Sequence, residues 1–117
     1  MSGFNKVMLL GRVVNTPRVH VFPTGGKVWQ CRISVDAQRK NQDTGEWEDC
    51  PMVIDVKAFN RRGANKQLAD MCEEALLEGS TFFLEGKLIV ETWREQNGAN
   101  RDKHVVEMND FTVFASP

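Results

Sequence analysis

The feature that most narrows the fold is a two-residue alternation in two neighbouring stretches. Between Lys27 and Ala37, the residues Trp29, Cys31, Ile33, Val35 and Ala37 fall on one side and Gln30, Arg32, Ser34 and Asp36 on the other, with Val28 the exception. Between Pro51 and Asn60, Met52, Ile54, Val56 and Ala58 alternate with Val53, Asp55, Lys57 and Phe59. Successive side chains of a strand point to opposite faces, so both stretches are half-buried strands. A chain built on them is a β protein with one wet face.

The remaining elements follow from turn chemistry. Phe4 to Val14 reads FNKVMLLGRVV, a β-rich run apolar on both sides around Val7 to Leu10, as expected of a strand covered twice, one face by a second subunit. Asn15-Thr16-Pro17 breaks it, and Pro23-Thr24-Gly25-Gly26 closes a short strand through Val19 and Val21. The polar segment Gln38 to Asp49 reads as a long, mobile hairpin loop. From Ala64 to Glu78, Leu68, Met71, Cys72, Ala75 and Leu76 follow helical spacing, with Gly79 as the stop. Ser80 to Leu88 returns to strand. Ile89 to Glu95 and Arg101 to Val106 flank Asn97-Gly98, the strongest hairpin dipeptide, and a last strand runs to Phe114. Five antiparallel strands with one helix between the third and fourth, plus an extended late hairpin, fit an all-β OB-fold barrel. An open sandwich of the same elements fits equally, because element order does not fix closure.

The 117 residues suffice for one domain, here residues 1–114, that buries roughly two-thirds of its unfolded surface. Cys31, Cys50 and Cys72 are odd in number and widely spaced, which suggests reduced thiols rather than a disulfide framework or zinc site. No apolar run approaches a membrane span, and the first residues lack a signal sequence, so a cytoplasmic location is expected. Net charge is −1, but it is uneven: residues 1–66 carry 11 Lys/Arg against 6 Asp/Glu, and residues 67–117 carry 4 against 10. A phosphate-binding surface would draw mainly on the first part.

Catalysis is disfavoured. His20 and His104 stand in no triad or metal-ligand spacing, and neither GxxxxGK[ST] nor GxGxxG occurs, so no cofactor and no metal are expected. What remains is aromatics interleaved with cations: Phe59 with Lys57, Arg61 and Arg62; Trp93 with Arg94; Trp47 with Arg39 and Lys40. Unpaired bases stack on such rings while Lys and Arg follow the phosphates. From the pattern alone, hairpin packing with solvated charges accounts for these residues as well.

The chain resembles bacterial single-stranded DNA-binding proteins over nearly its whole length. The resemblance rests on Asn5-Lys6-Val7-Met8-Leu9-Leu10-Gly11-Arg12, Pro23-Thr24-Gly25-Gly26-Lys27-Val28, Thr44-Gly45-Glu46, Val56-Lys57-Ala58-Phe59-Asn60, Glu85-Gly86-Lys87-Leu88 and Thr92 to Gly98, in that order and spacing. It implies a non-catalytic OB-fold protein that protects and organises single strands in replication, recombination and repair, nucleoid-associated, as a homotetramer or a dimer. It implies stacking by Phe59 and Trp93. At two positions where the family usually has tryptophan this chain has Arg39 and Val53, leaving Trp47, or Trp29, to compensate; the alternation places Trp29 in the core. Phosphate contacts are expected from Arg39, Lys40, Lys57, Arg61, Arg62, Lys87 and Arg94, with Arg12 and Arg32 beyond them. The family's acidic tail, which recruits replication and repair partners, is missing after Ala115-Ser116-Pro117, through truncation or natural absence. A protein-interaction module akin to replication-restart proteins, and a metal-dependent nuclease using the carboxylates of residues 38–55, are the competing classes; RNA is the variant ligand.

Overall fold

The computed structural model describes residues 3–65 and 67–117. Strands β1 (Val7–Val13), β2 (Arg18–Val21), β3 (Lys27–Val35), β4 (Gln38–Lys40), β5 (Trp47–Asp49) and β6 (Met52–Asn60) precede helix α1 (Leu68–Ala75). Strands β7 (Thr81–Arg94) and β8 (Asn100–Ala115) follow it. The strand order β1-β7-β8-β6-β3-β2 is closed by an added β1–β3 pairing, which makes a five-stranded barrel with β2 as a flap on β3. The fold is therefore the OB barrel and not the open sandwich. All ladders are antiparallel except β6–β8, where Asp55, Val56 and Lys57 run parallel to Val105, Val106 and Glu107.

Closure depends on two places where backbones come very near. A Cβ on Gly11 would sit 3.0 Å from Ile33 Cδ1 and 3.2 Å from the Ser34 carbonyl, so the bare glycine lets β1 pass from β7 to β3. At Gly86 the hypothetical Cβ would lie 2.9 Å from Met108 Cα and closer still to the Glu107 carbonyl oxygen, beside a register shift between Glu85 and Gly86. The Asn5 side chain clasps the other end of β1: its Nδ2 donates to the Leu88 carbonyl (2.7 Å) and its Oδ1 accepts from the Leu88 amide (2.9 Å).

The core joins Val13, Trp29, Cys31, Ile33, Val56, Ala58, Phe82, Leu84, Val106 and Met108 from the barrel to Leu68, Ala69, Cys72 and Leu76 from the helix region. Trp29 is wholly enclosed, as the alternation requires. Val28, on the other parity, is also buried, flanked in its row by His20 on β2 and Phe59 on β6. Burial pushes the Cys31 thiol up to about 12, and burial also raises that of Cys72. Cys50 is exposed, so only two of the three thiols are core groups.

Four expectations are corrected. Residues 38–49 are not an unstructured loop: β4 and β5 pair as a small hairpin, with Asn41 Oδ1 accepting from the Asp43 and Thr44 amides to shape its turn. Polar side chains hid it, because backbone ladders and an Asx turn hold it rather than an apolar face. The helix is shorter than Ala64–Glu78, with Leu76 already extended; Gly79 serves the turn that follows, and Lys66 lies outside the described residues. Met71 and Ala75 are exposed while Ala69 is buried, so the helix turns a narrower stripe inward. Met52, the first residue of β6, and Ala37, just past the end of β3, are exposed rather than inward. Finally, the late strands are not separate arms and barrel strands. β7 and β8 each run unbroken from barrel to hairpin tip, and the sequence has no break because the sheet has none.

Candidate nucleic-acid interface

The ladders place the outward residues of five strands on one surface. One transverse row reads Arg18 (β2), Gln30 (β3), Lys57 (β6), Glu107 (β8) and Lys87 (β7). The next reads Arg32, Asp55, Val105 and Ile89. Beyond it Lys103 pairs with Glu91, and Arg101 with Trp93 on the hairpin arm. On the opposite side of the first row lie His20, Val28 and Phe59. The structure thus brings Arg32, Lys57, Phe59, Lys87 and Trp93 onto one face, with Arg61 immediately after β6.

Phe59 is half-buried, and the Arg61 guanidinium carbon lies 5.5 Å from its ring centroid. That distance is a cation–π contact, so the ring carries its own lid. Arg61 Nη2 also donates to Glu107 Oε1 (2.9 Å), and Lys87 Nζ lies 3.3 Å from the second oxygen of the same carboxylate. Trp93 is 44% exposed at the arm, a flat surface next to Glu91 and Lys103.

Charges on this face are mostly engaged. Lys57 Nζ donates to Glu91. Asp55 takes Arg32 Nε on one oxygen (3.1 Å) and Lys103 Nζ on the other (2.7 Å). Partial burial pushes the Asp55 carboxyl up, but the hydrogen bonds from Lys103 and Arg32 outweigh it and hold the carboxyl below its ordinary 3.8. Six cations, Arg32, Lys57, Arg61, Lys87, Arg101 and Lys103, pair with four carboxylates, Asp55, Glu91, Glu95 and Glu107, and Arg18 adds a further positive charge, so the face stays positive while the whole chain is slightly negative.

The other sequence candidates lie apart. In the β4–β5 hairpin Lys40 pairs with Trp47 and Arg39 with Glu48, and Trp47 is 67% exposed, forming a second ring-and-cation site. Arg12 is on β1, in a cleft beside Met8, Leu10, Ser34 and Asp36. Arg62 is in the exposed turn after β6. Arg94 follows Trp93 in the strand and so points to the arm's other side, its Nε donating to the Gly98 carbonyl (3.4 Å). Val53 is exposed across from Ser34. Arg18, Lys103 and Arg101 join this face without having been among the sequence candidates, and His20, solvated by its sequence context, stands in the row of Phe59. Counting back from the Asn97-Gly98 turn pairs Arg101 with Trp93 and Lys103 with Glu91, a signal present in the sequence. Among the described residues, no three His, Cys, Asp or Glu side chains come together in a way that could hold a metal ion. No helix there is long and apolar enough to cross a membrane.

Comparison with known proteins agrees with this architecture. The model of the Single-strand binding protein family matches residues 4–114. The single-stranded DNA-binding protein of Wolinella succinogenes is 31% identical over 113 residues, 97% of this chain and 65% of that protein. Its counterpart from Helicobacter hepaticus is 29% identical over 97% of this chain and 62% of that protein, so the chain spans less than two-thirds of either relative. Among solved structures, a Plasmodium falciparum single-stranded DNA-binding protein in complex with single-stranded DNA superposes with a TM-score of 0.86, covering 98% of both chains at 18% identity. At that identity the likeness speaks for the fold.

Proposed function

The chain belongs to the single-strand binding protein family, and on that premise we propose that it binds single-stranded DNA with little sequence preference, as a non-catalytic protein that protects and organises exposed strands. The observation that carries this reading is the positive face on which Phe59 and Trp93 stand with Lys57, Lys87, Arg32 and Arg61. Rings accept any base, and cations hold the backbone, so such a face binds without reading sequence. The β4–β5 hairpin, with Trp47, Arg39 and Lys40, extends the path, and Arg12, Arg62 and Arg94 sit at its margins. Residues 1–114 act as the binding domain, at work in the cytoplasm on the nucleoid.

Self-association is part of the proposal. Met8 and Leu10 are 56% and 45% exposed on the outer side of β1, an apolar edge suited to a second copy in a tetramer or dimer. Light scattering of the purified chain tests this, and a monomeric mass at micromolar concentration refutes it. Replication and repair proteins would be further partners through an acidic tail, where one is present.

Anisotropy titration of labelled oligo-dT with Phe59→Ala and Trp93→Ala variants tests the site. Each stacked ring is worth about 1–3 kcal/mol, so each loss weakens binding roughly 5- to 150-fold. Unchanged affinity in both folded variants moves the site elsewhere.

A further inference from the structure

We propose that Arg18, Arg32 and Lys103 form a second phosphate seat on the same face, and that a strand leaving Trp93 crosses the barrel diagonally over it toward β2. The inference rests on the reading that this face binds single-stranded DNA. The three side chains, with Asp55, Asn15 and Gln30, line an open cleft of ≈ 290 Å³. They come from four different elements, and only the folded ladders assemble them: Arg18 from β2, Arg32 from β3, Asp55 from β6 and Lys103 from β8.

The chemistry of the cleft suits an anionic oxygen and little else. Three cations share the cleft with one carboxylate. Both Asp55 oxygens are taken, by Arg32 Nε and Lys103 Nζ, so Asp55 fixes two cations in place. Arg32 keeps its two terminal nitrogens free of that bond, and a guanidinium edge matches a phosphate bidentately. Arg18 has no carboxylate within salt-bridge reach among the described residues, so its charge is unspent. Asn15 Oδ1 is bound to the Arg32 amide (2.9 Å), which turns its Nδ2 donors elsewhere. The lining is overwhelmingly polar, so an apolar anchor from a protein partner has nothing to pack on.

The register gives the direction. From Trp93 on β7, one strand over and one row down lies Lys103 on β8; one further step reaches Asp55 on β6, beside Arg32 on β3; the last reaches Arg18 on β2. With strands about 4.8 Å apart and same-face residues about 6.7 Å apart, that line is roughly 28 Å long if laid flat, room for several nucleotides. Phe59 lies to one side of the line, so the seat extends the strand's path beyond the two stacking rings.

The test is a salt series of oligo-dT titrations with the full chain and its Arg18→Ala, Lys103→Ala and Lys6→Ala variants, with thermal melts to confirm folding. Lys6, paired with Glu85 at the start of β1, is the control away from the cleft. Arg18→Ala and Lys103→Ala are each expected to weaken binding roughly fivefold near 0.1 M salt and to flatten the plot of log affinity against log salt by about 0.7 to 1. Lys6→Ala leaves both unchanged. Arg18 touches no carboxylate, so its variant keeps the test sound even where Lys103→Ala loosens the fold. Wild-type binding with unaltered affinity and slope in Arg18→Ala overturns the seat and leaves DNA binding standing; a wild-type chain that fails to bind at low salt overturns both.

Discussion

Neutralising one carboxylate should make this protein bind more tightly. Glu107 holds Arg61 at 2.9 Å and Lys87 at 3.3 Å, and through Arg61 it keeps a guanidinium over Phe59. Its side chain is 13% exposed, whereas Arg61 and Lys87 are 64% and 49% exposed, so both pairs are screened by water on the cation side. Pairs of that kind are worth ~0.2–1 kcal/mol each. Releasing two of them to phosphates recovers about 1 kcal/mol, which is a factor of roughly five in affinity. In Glu107→Gln the face also gains one positive charge net. Since each neutralised phosphate of a single strand contributes a slope near −0.7, log affinity should fall more steeply with log salt by about that amount. The assay is oligo-dT anisotropy at four or more salt concentrations, with a thermal melt on the same sample. Weaker or unchanged binding by a folded variant refutes the reasoning. It would mean that Glu107 places Arg61 for stacking and does not compete for it.

Three further outcomes follow from the packing. Gly86→Ala must push its new methyl into the backbone of Glu107 and Met108, and such overpacking costs about 1–3 kcal/mol; the melting temperature should fall by roughly 4–12 °C, and an unchanged melt contradicts the close approach. Native protein at pH 8 should react with one equivalent of a thiol reagent, at exposed Cys50, because burial keeps Cys31 and Cys72 protonated and covered; three fast equivalents contradict that core. Asp55 has a folded carboxyl value below its ordinary 3.8, so its stabilising contribution is present above pH 3.8 and is lost as pH falls through the lower folded value. Melts at pH 5 and pH 3 should therefore differ less in Asp55→Asn than in the parent, and an equal difference removes Asp55 from the acid response.

The residues show why some of this was legible and some was not. Trp29, Cys31, Ile33, Val56 and Ala58 could be assigned to the core because a strand's alternation is a local property that burial on one face writes into the chain. Helical spacing carries on to Leu76, but that residue is buried from an extended backbone, so spacing alone does not mark where the helix Leu68–Ala75 ends. Phe59 and Lys57 could be named from their outward parity, and Trp93 from its place beside Arg94 on the late hairpin arm. Their shared surface could not, because it depends on the parallel β6–β8 register, which sets Lys57 beside Glu107 and Asp55 near Lys103. Along the chain the carboxylates crowd into the acidic second part, yet in the fold Glu91 and Glu107 stand among the cations they pair with. That tertiary placement turns a list of basic residues into a face with both free and occupied charge.

The most direct measurement of the central claim is intrinsic tryptophan fluorescence during addition of oligo-dT at low salt, followed by salt back-titration. Trp29 is enclosed, so a change must come from Trp93 and Trp47, the two exposed indoles. The account predicts quenching that saturates with oligo-dT, is reversed by salt, and loses most of its amplitude in Trp93→Phe. Constant fluorescence with excess oligo-dT at low salt contradicts it.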